Sequence, residues 1–190
     1  MKTLRLAQDA DADALLTRDP LALMVGMVLD QQIPLEKAFT SPYVLTQRLG
    51  HDLDAREIAA FDPDRLVEVF STPPALHRFP GSMAKRVQEL CRVLVSEYGG
   101  DAAAVWDTKD PNELLRRLKA LPGFGEQKAK IFMALLGKQL GVRPRGWRDV
   151  CAPYGAEKTR LSVADITDQA SLLQVRAYKA EMKAAAKAAG

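Results

Sequence analysis

The sequence predicts an all-α protein, and three observations carry that prediction. Apolar residues recur three and four apart in nearly every segment, Ala and Leu are abundant, and Asp residues, often followed by Pro, stand where new periodic runs begin. Runs rich in β-branched or aromatic residues, the mark of strands, are few. At 190 residues with 47% hydrophobic content, the chain suits one domain or a compact two-lobed unit, which argues against overall disorder.

The elements follow in order. A first helix contains Leu15 and Leu16, with Asp9, Asp11 and Asp13 about its start. Their alternation suggests a calcium loop, but Ala14 and Pro20 stand where such a loop needs Gly and a bidentate Glu, so capping and solvation account for them. Asp19-Pro20 opens a helix through Leu21 to Leu29. Pro34 opens the next, with Phe39, Tyr43, Leu45 and Leu49 as its buried stripe and Gly50 as its end. Asp54 and Asp62-Pro63 cap two short helices, the second carrying Leu66, Val67 and Phe70, before Thr72-Pro73-Pro74 breaks the chain. Ser82 caps a long helix with apolar positions Val87, Leu90, Cys91, Leu94 and Val95, and Gly99-Gly100 stops it. Asp110-Pro111 starts a helix with Leu114, Leu115 and Leu118, cut at Leu121-Pro122-Gly123-Phe124-Gly125. Its successor carries Ala129, Phe132, Leu135, Leu136 and Leu140 and ends at Gly141. Loops then lead to a final helix from about Gln169 to Lys187. No internal repeat or low-complexity linker interrupts the chain.

Charge divides unevenly. Residues 1–112 carry 12 Lys+Arg against 17 Asp+Glu, whereas residues 113–190 carry 15 against 7. The carboxyl-terminal part is therefore basic, as a polyanion-binding face would be, although a solvated helix surface gives the same signal. Cys91 and Cys151 are too few for a disulfide framework, a four-thiolate zinc site or an iron–sulfur cluster, which points to a reducing compartment. The longest apolar stretch, Leu21 to Leu29, is too short to cross a bilayer, and the amino end lacks a signal-peptide pattern. The expectation is a cytoplasmic monomer without a membrane partner.

The stretch from Leu114 to Leu140 carries most chemical information: helix, Pro-Gly-Phe-Gly turn, helix, with Lys128 and Lys130 in the first turn of the second helix. Glycines let a turn adopt positive φ and approach another surface, and a helix start offers unpaired N–H groups to an anion. The turn resembles the helix-hairpin-helix element of DNA-binding proteins. Taken alone it also suits an ordinary αα-hairpin. Two further segments extend the likeness. Gly81-Ser-Met-Ala-Lys85-Arg86 and the helix behind it resemble the helix preceding that hairpin in base-excision DNA glycosylases of the helix-hairpin-helix/Gly-Pro-Asp superfamily. Met27-Val-Leu-Asp-Gln31-Gln32-Ile-Pro-Leu-Glu-Lys-Ala38 resembles a Gln-Gln segment of the same superfamily, especially its alkylpurine branch. Together the three segments span about Leu21 to Asp149.

The resemblance implies a helical lobe over residues 20–140 that ends in the hairpin, and a second, basic lobe formed by residues 1–19 and 141–190. Double-stranded DNA would lie across the cleft, with Gln31 and Gln32 at the wedge that enters the vacated stack, one of them merely pinning a helix. Lys85, Arg86, Pro122, Gly123, Phe124, Gly125, Gln127, Lys128 and Lys130 would contact DNA, Lys128 facing phosphate. It also implies a monovalent cation at the hairpin. Metal ligands are otherwise absent from the expected set, as is an iron–sulfur cluster.

N-glycosyl hydrolysis builds positive charge on the sugar, which a carboxylate can stabilise while it orients or deprotonates water. The superfamily uses an Asp after the hairpin's second helix. Here the first candidate is Asp149, with Asp165 and Asp30 in reserve; a surface pairing with Arg145 or Arg148 suits Asp149 equally well. Members that also cleave the strand carry a lysine two residues after the second hairpin glycine, where this chain has Gln127, so hydrolysis without lyase activity is expected. Phe39, Tyr43, Trp147 and Tyr154 could line a base pocket, and each also suits the core. His77 reads as a surface residue. The expected function is excision of an alkylated or deaminated base. A noncatalytic DNA-binding protein and a helical interaction protein are the rivals.

Overall fold

The computed structural model describes residues 2–190 and holds ten α-helices among them: α1 (Ala10–Arg18), α2 (Pro20–Leu29), α3 (Leu35–Leu49), α4 (Ala55–Ala60), α5 (Pro63–Ser71), α6 (Pro80–Tyr98), α7 (Pro111–Lys119), α8 (Glu126–Gln139), α9 (Trp147–Val150) and α10 (Gln169–Ala189). Short 3-10 turns occupy Ala102–Trp106 and Val163–Asp165, and no strand occurs among the described residues. No described helix is long and apolar enough to cross a membrane.

Local chemistry sets most boundaries. The carboxylates of Asp9, Asp19, Asp54, Asp62, Asp110 and Asp168 each accept a backbone N–H in the first turn of the helix that follows, satisfying donors that no carbonyl within the helix can reach. Gly50 and Gly99 end α3 and α6 in the left-handed conformation. One boundary differs from expectation. Helix α6 begins at Pro80, so Ser82 lies inside its first turn rather than at its cap; a first-turn proline loses no hydrogen bond there. Helix α9 and the Val163–Asp165 turn lie in a region that reads as loop, too short for a periodic signal.

Every residue from Leu21 to Leu29 is buried. Helix α2 therefore runs through the interior and packs on α1, α3 and α6, with the carboxyl end of the helix beside α8. Close approach fixes two neighbours. A Cβ on Gly26 would stand 2.6 Å from the Phe39 ring, and one on Gly137 would stand 2.5 Å from the Trp147 indole. Both aromatics are thus core residues, Phe39 fully enclosed and Trp147 laid against α8 beneath the Arg148 guanidinium. The segment after α8 returns to it through the Val163–Asp165 turn. There Lys138 and Asp165 form a buried ion pair at 2.6 Å, the carboxylate also accepting from the Thr159 hydroxyl and the Leu161 N–H. Cys91 and Cys151 are buried, unpaired thiols, which burial pushes up to about 12 and about 11.

Candidate active site and nucleic-acid interface

A buried helix must satisfy its last carbonyls, and α2 does so with three side chains from elsewhere in the chain or just beyond its end. Lys128 Nζ donates to Met27 O at 2.6 Å, Gln31 Nε2 to Val28 O at 3.0 Å, and His77 Nε2 to Leu29 O at 3.1 Å. His77 Nε2 also reaches Gln31 O at 2.9 Å, while its Nδ1 accepts the Phe79 N–H at 2.9 Å. Two carbonyl partners on one nitrogen and an N–H on the other define a neutral imidazole protonated at Nε2. Burial agrees, holding the His77 pKa below the usual histidine value.

Two expectations are corrected here. His77 is not on the surface; it is 2% exposed and ties the α6 approach to the end of α2. Lys128 does not face phosphate; its ammonium is held on the α2 carbonyls, where the negative end of the helix dipole favours it. Burial lowers the Lys128 pKa, and the nearby Asp30 carboxylate opposes that shift.

The same clamp exposes the next residue. With Gln31 pinned to the preceding helix, Gln32 stands exposed at the tip with φ +57°, a left-handed conformation that L residues adopt at some cost. Of the two glutamines, Gln31 is the structural one and Gln32 is free to project.

The hairpin forms as α7, a tight turn and α8. Gly123 has φ +87°, and a Cβ there would press on Arg86 Cδ at 3.2 Å and Val28 at 3.3 Å. No side chain caps α8, whose cap position is the exposed Gly125, so the N–H groups of its first turn await an outside acceptor. Lys85 is exposed on α6, while its neighbour Arg86 is half-buried over Gly123. Pro122 is partly exposed, and Lys130 stands 4.0 Å from Glu126. The Phe124 side chain is 5% exposed and packs on Phe132, so only its backbone can meet a ligand.

Two cavities adjoin the end of α2. One, of about 240 Å³, lies along α8 and is lined by Met27, Asp30, Gln127, Lys128, Ser162 and Lys179 among others. The second, of about 170 Å³, is walled by Ile33, Leu35, Leu172 and Val175, with Asp30, Arg176 and Lys179 as its polar groups. Asp30 and Lys179 line both. Their side chains stand 4.0 Å apart, and Asp30 is 15% exposed.

Asp30 is therefore the candidate carboxylate that lines this paired cavity. Asp149 lies on the exposed face of α9, lines neither chamber and pairs with neither Arg145 nor Arg148, the latter engaging Glu157 at 2.8 Å. Asp165 is enclosed by its own ion pair. The aromatic base pocket is corrected likewise. Phe39 and Trp147 are buried, Tyr43 packs on the core, and Tyr154 lies in a neighbouring depression where its hydroxyl accepts from Gln127 Nε2 at 3.0 Å. Aliphatic residues take their place. The signal was present in the spacing Leu172, Val175, Lys179, one face of an otherwise exposed helix, but its partners on α3 are about 140 positions away in sequence.

Comparison with known proteins adds one finding. A family model described as HhH-GPD superfamily base excision DNA repair protein matches residues 25–189, reaching 40 residues past Asp149, so α10 lies within the matched region. No curated protein matches the sequence.

Proposed function

Because the chain belongs to the HhH-GPD superfamily of base excision DNA repair proteins, we propose that it is a DNA glycosylase that hydrolyses the N-glycosyl bond of an alkylated or deaminated base, with Asp30 as the working carboxylate. The observation that carries this reading is the placement of Asp30 at the junction of the two cavities. A nucleotide turned out of duplex DNA would set its base in the aliphatic chamber and its sugar in the chamber beside α8. The bond to be broken then lies at the junction.

Each group has a defined task in this mechanism. The α8 amino end and the Gly123–Gly125 backbone hold a phosphate, and Lys85 adds charge there. Gln32 enters the vacated stack. As the C1′–N bond lengthens, positive charge grows on the sugar, and the Asp30 carboxylate stabilises it and accepts a proton from the attacking water. A monovalent cation at the hairpin, implied by the resemblance, would add positive charge near the phosphate. Gln127 cannot form a Schiff base, and the Lys128 ammonium is committed to Met27 O, which supports hydrolysis without strand cleavage.

The test is base release from duplexes that each carry one damaged base, resolved with and without alkali. Alkali-dependent breakage is expected. Asp30→Asn should lower single-turnover release at least about 100-fold with duplex affinity kept, while Asp149→Asn should stay within about threefold of the parent. A second reading, a noncatalytic DNA-binding protein, is favoured by the absence of Asp149 and Asp165 from the two cavities. Tight, salt-sensitive binding without release of any base would establish it.

A further inference from the structure

We infer that the base this site takes is a neutral, carbonyl-bearing one, as deamination produces, and that Lys179 stabilises it as it leaves. The inference rests on the glycosylase reading above and deepens it to a substrate class.

The chamber that would receive the base has walls of Ile33, Leu35, Leu172 and Val175. No aromatic ring lines it, so a cationic alkylpurine would find none of the ring faces that attract cations. Its polar groups include two cations instead. Arg176 is neutralised by its ion pair with Glu36. Lys179 is different: its partner is Asp30, at 4.0 Å, the carboxylate that the developing sugar cation requires. Once Asp30 turns to the sugar, the Lys179 ammonium has no counter-charge in the chamber and faces the base.

The chemistry of departure makes that arrangement selective. Breaking the C1′–N bond sends its electron pair to the base nitrogen. An alkylated purine, already positive, leaves neutral and gains nothing from an ammonium group beside it; before departure it is repelled. A neutral base such as uracil or hypoxanthine leaves as an anion, with its charge spread over ring nitrogens and carbonyl oxygens. Lys179 can donate to those oxygens and lower the energy of the anion as it forms. Water then adds to C1′, its proton passes to Asp30 and on to the departed base, and both side chains return to their resting charges.

The experiment measures single-turnover release from four duplexes carrying one uracil, hypoxanthine, 3-methyladenine or 7-methylguanine, using the full chain and its Lys179→Gln and Lys179→Arg variants. Lys179 is on an exposed helix face, so both variants keep the fold. The expected result is release of uracil or hypoxanthine, no release of the alkylated bases above the spontaneous rate, a loss of about 100-fold in Lys179→Gln and partial recovery in Lys179→Arg, with duplex affinity within about threefold throughout. Release of an alkylated base, undiminished in Lys179→Gln, would overturn the substrate class and leave the glycosylase reading standing. Release of uracil or hypoxanthine at an undiminished rate in Lys179→Gln would overturn the role of Lys179. Binding without release of any base would overturn both readings together.

Discussion

At the residue scale, His77 shows how a buried side chain can shape the candidate site. Its ring satisfies Leu29 O and Gln31 O and takes the Phe79 N–H, so it holds the turn from which Gln32 projects. Its folded-state pKa is lowered from 6.5. As pH falls through 6.5, the unfolded chain binds a proton that the native state refuses, so stability declines until the lowered native pKa is reached and changes no further below it. His77→Ala is expected to cost about 1–3 kcal/mol near neutral pH, because two carbonyls lose a buried donor, and to flatten the acid-side decline. Urea unfolding across that pH window checks both. An unchanged slope would assign the titration to another group. In sequence, His77 sits between Leu76 and Arg78 with no periodic mark of burial, and its partners are some 46 to 48 positions away. Its role was illegible for that reason.

At the element scale, three helix ends define the site: the carboxyl end of α2, the amino end of α8 and the outward run of α10. The first two meet because a buried helix terminus requires donors, and Lys128 is one. Helix α10 is different. Its first turns are anchored by Leu172 and Val175, and beyond Lys179 its residues are exposed, with Lys183 and Lys187 four apart on one face. That stripe leads from the cleft outward, the path a DNA backbone would follow under the proposed function. Removing Lys183 and Lys187 together is expected to weaken binding to all duplex sequences alike. It should also reduce the slope of log affinity against log salt by about 0.9 for each phosphate that is no longer neutralised. Anisotropy titrations at several salt concentrations measure it, and an unaltered slope would put the stripe off the DNA path.

At the scale of the whole molecule, the return of the chain after α8 depends on one buried ion pair. Lys138 and Asp165 are 14% and 4% exposed, and Asp165 also takes bonds from Thr159 and Leu161. Lys138→Met would strand the carboxylate, at an expected cost of about 3–5 kcal/mol in thermal or denaturant unfolding. Asp165→Asn should likewise lose stability first, and lose base release only as far as the fold is lost. A selective loss of release in a fully stable Asp165→Asn protein would instead return Asp165 to the chemistry. Under the proposed function the pair matters because the same segment brings Ser162 to the cavity beside α8 and leads into α10, which carries Lys179.

What the sequence by itself determined was the local chemistry: helices from three-and-four spacing, their starts from Asp caps, the hairpin from its glycines, and the family from three motifs in order. Those signals lie within one element or one turn, where neighbours in sequence are neighbours in space. Tertiary structure alone decided which polar groups share a cavity. Asp30 stood behind Asp149 and Asp165 because nothing near it in the chain marks it as reactive, yet it lines both cavities at the end of α2 and they line neither. Phe39 and Trp147, which suited a pocket, went to the core, since Gly26 and Gly137 leave room for rings and burial rewards large apolar surfaces. Aliphatic residues from α10 and the start of α3 close the chamber instead. Their meeting depends on how the chain folds back across about 140 residues, and no local pattern encodes that distance.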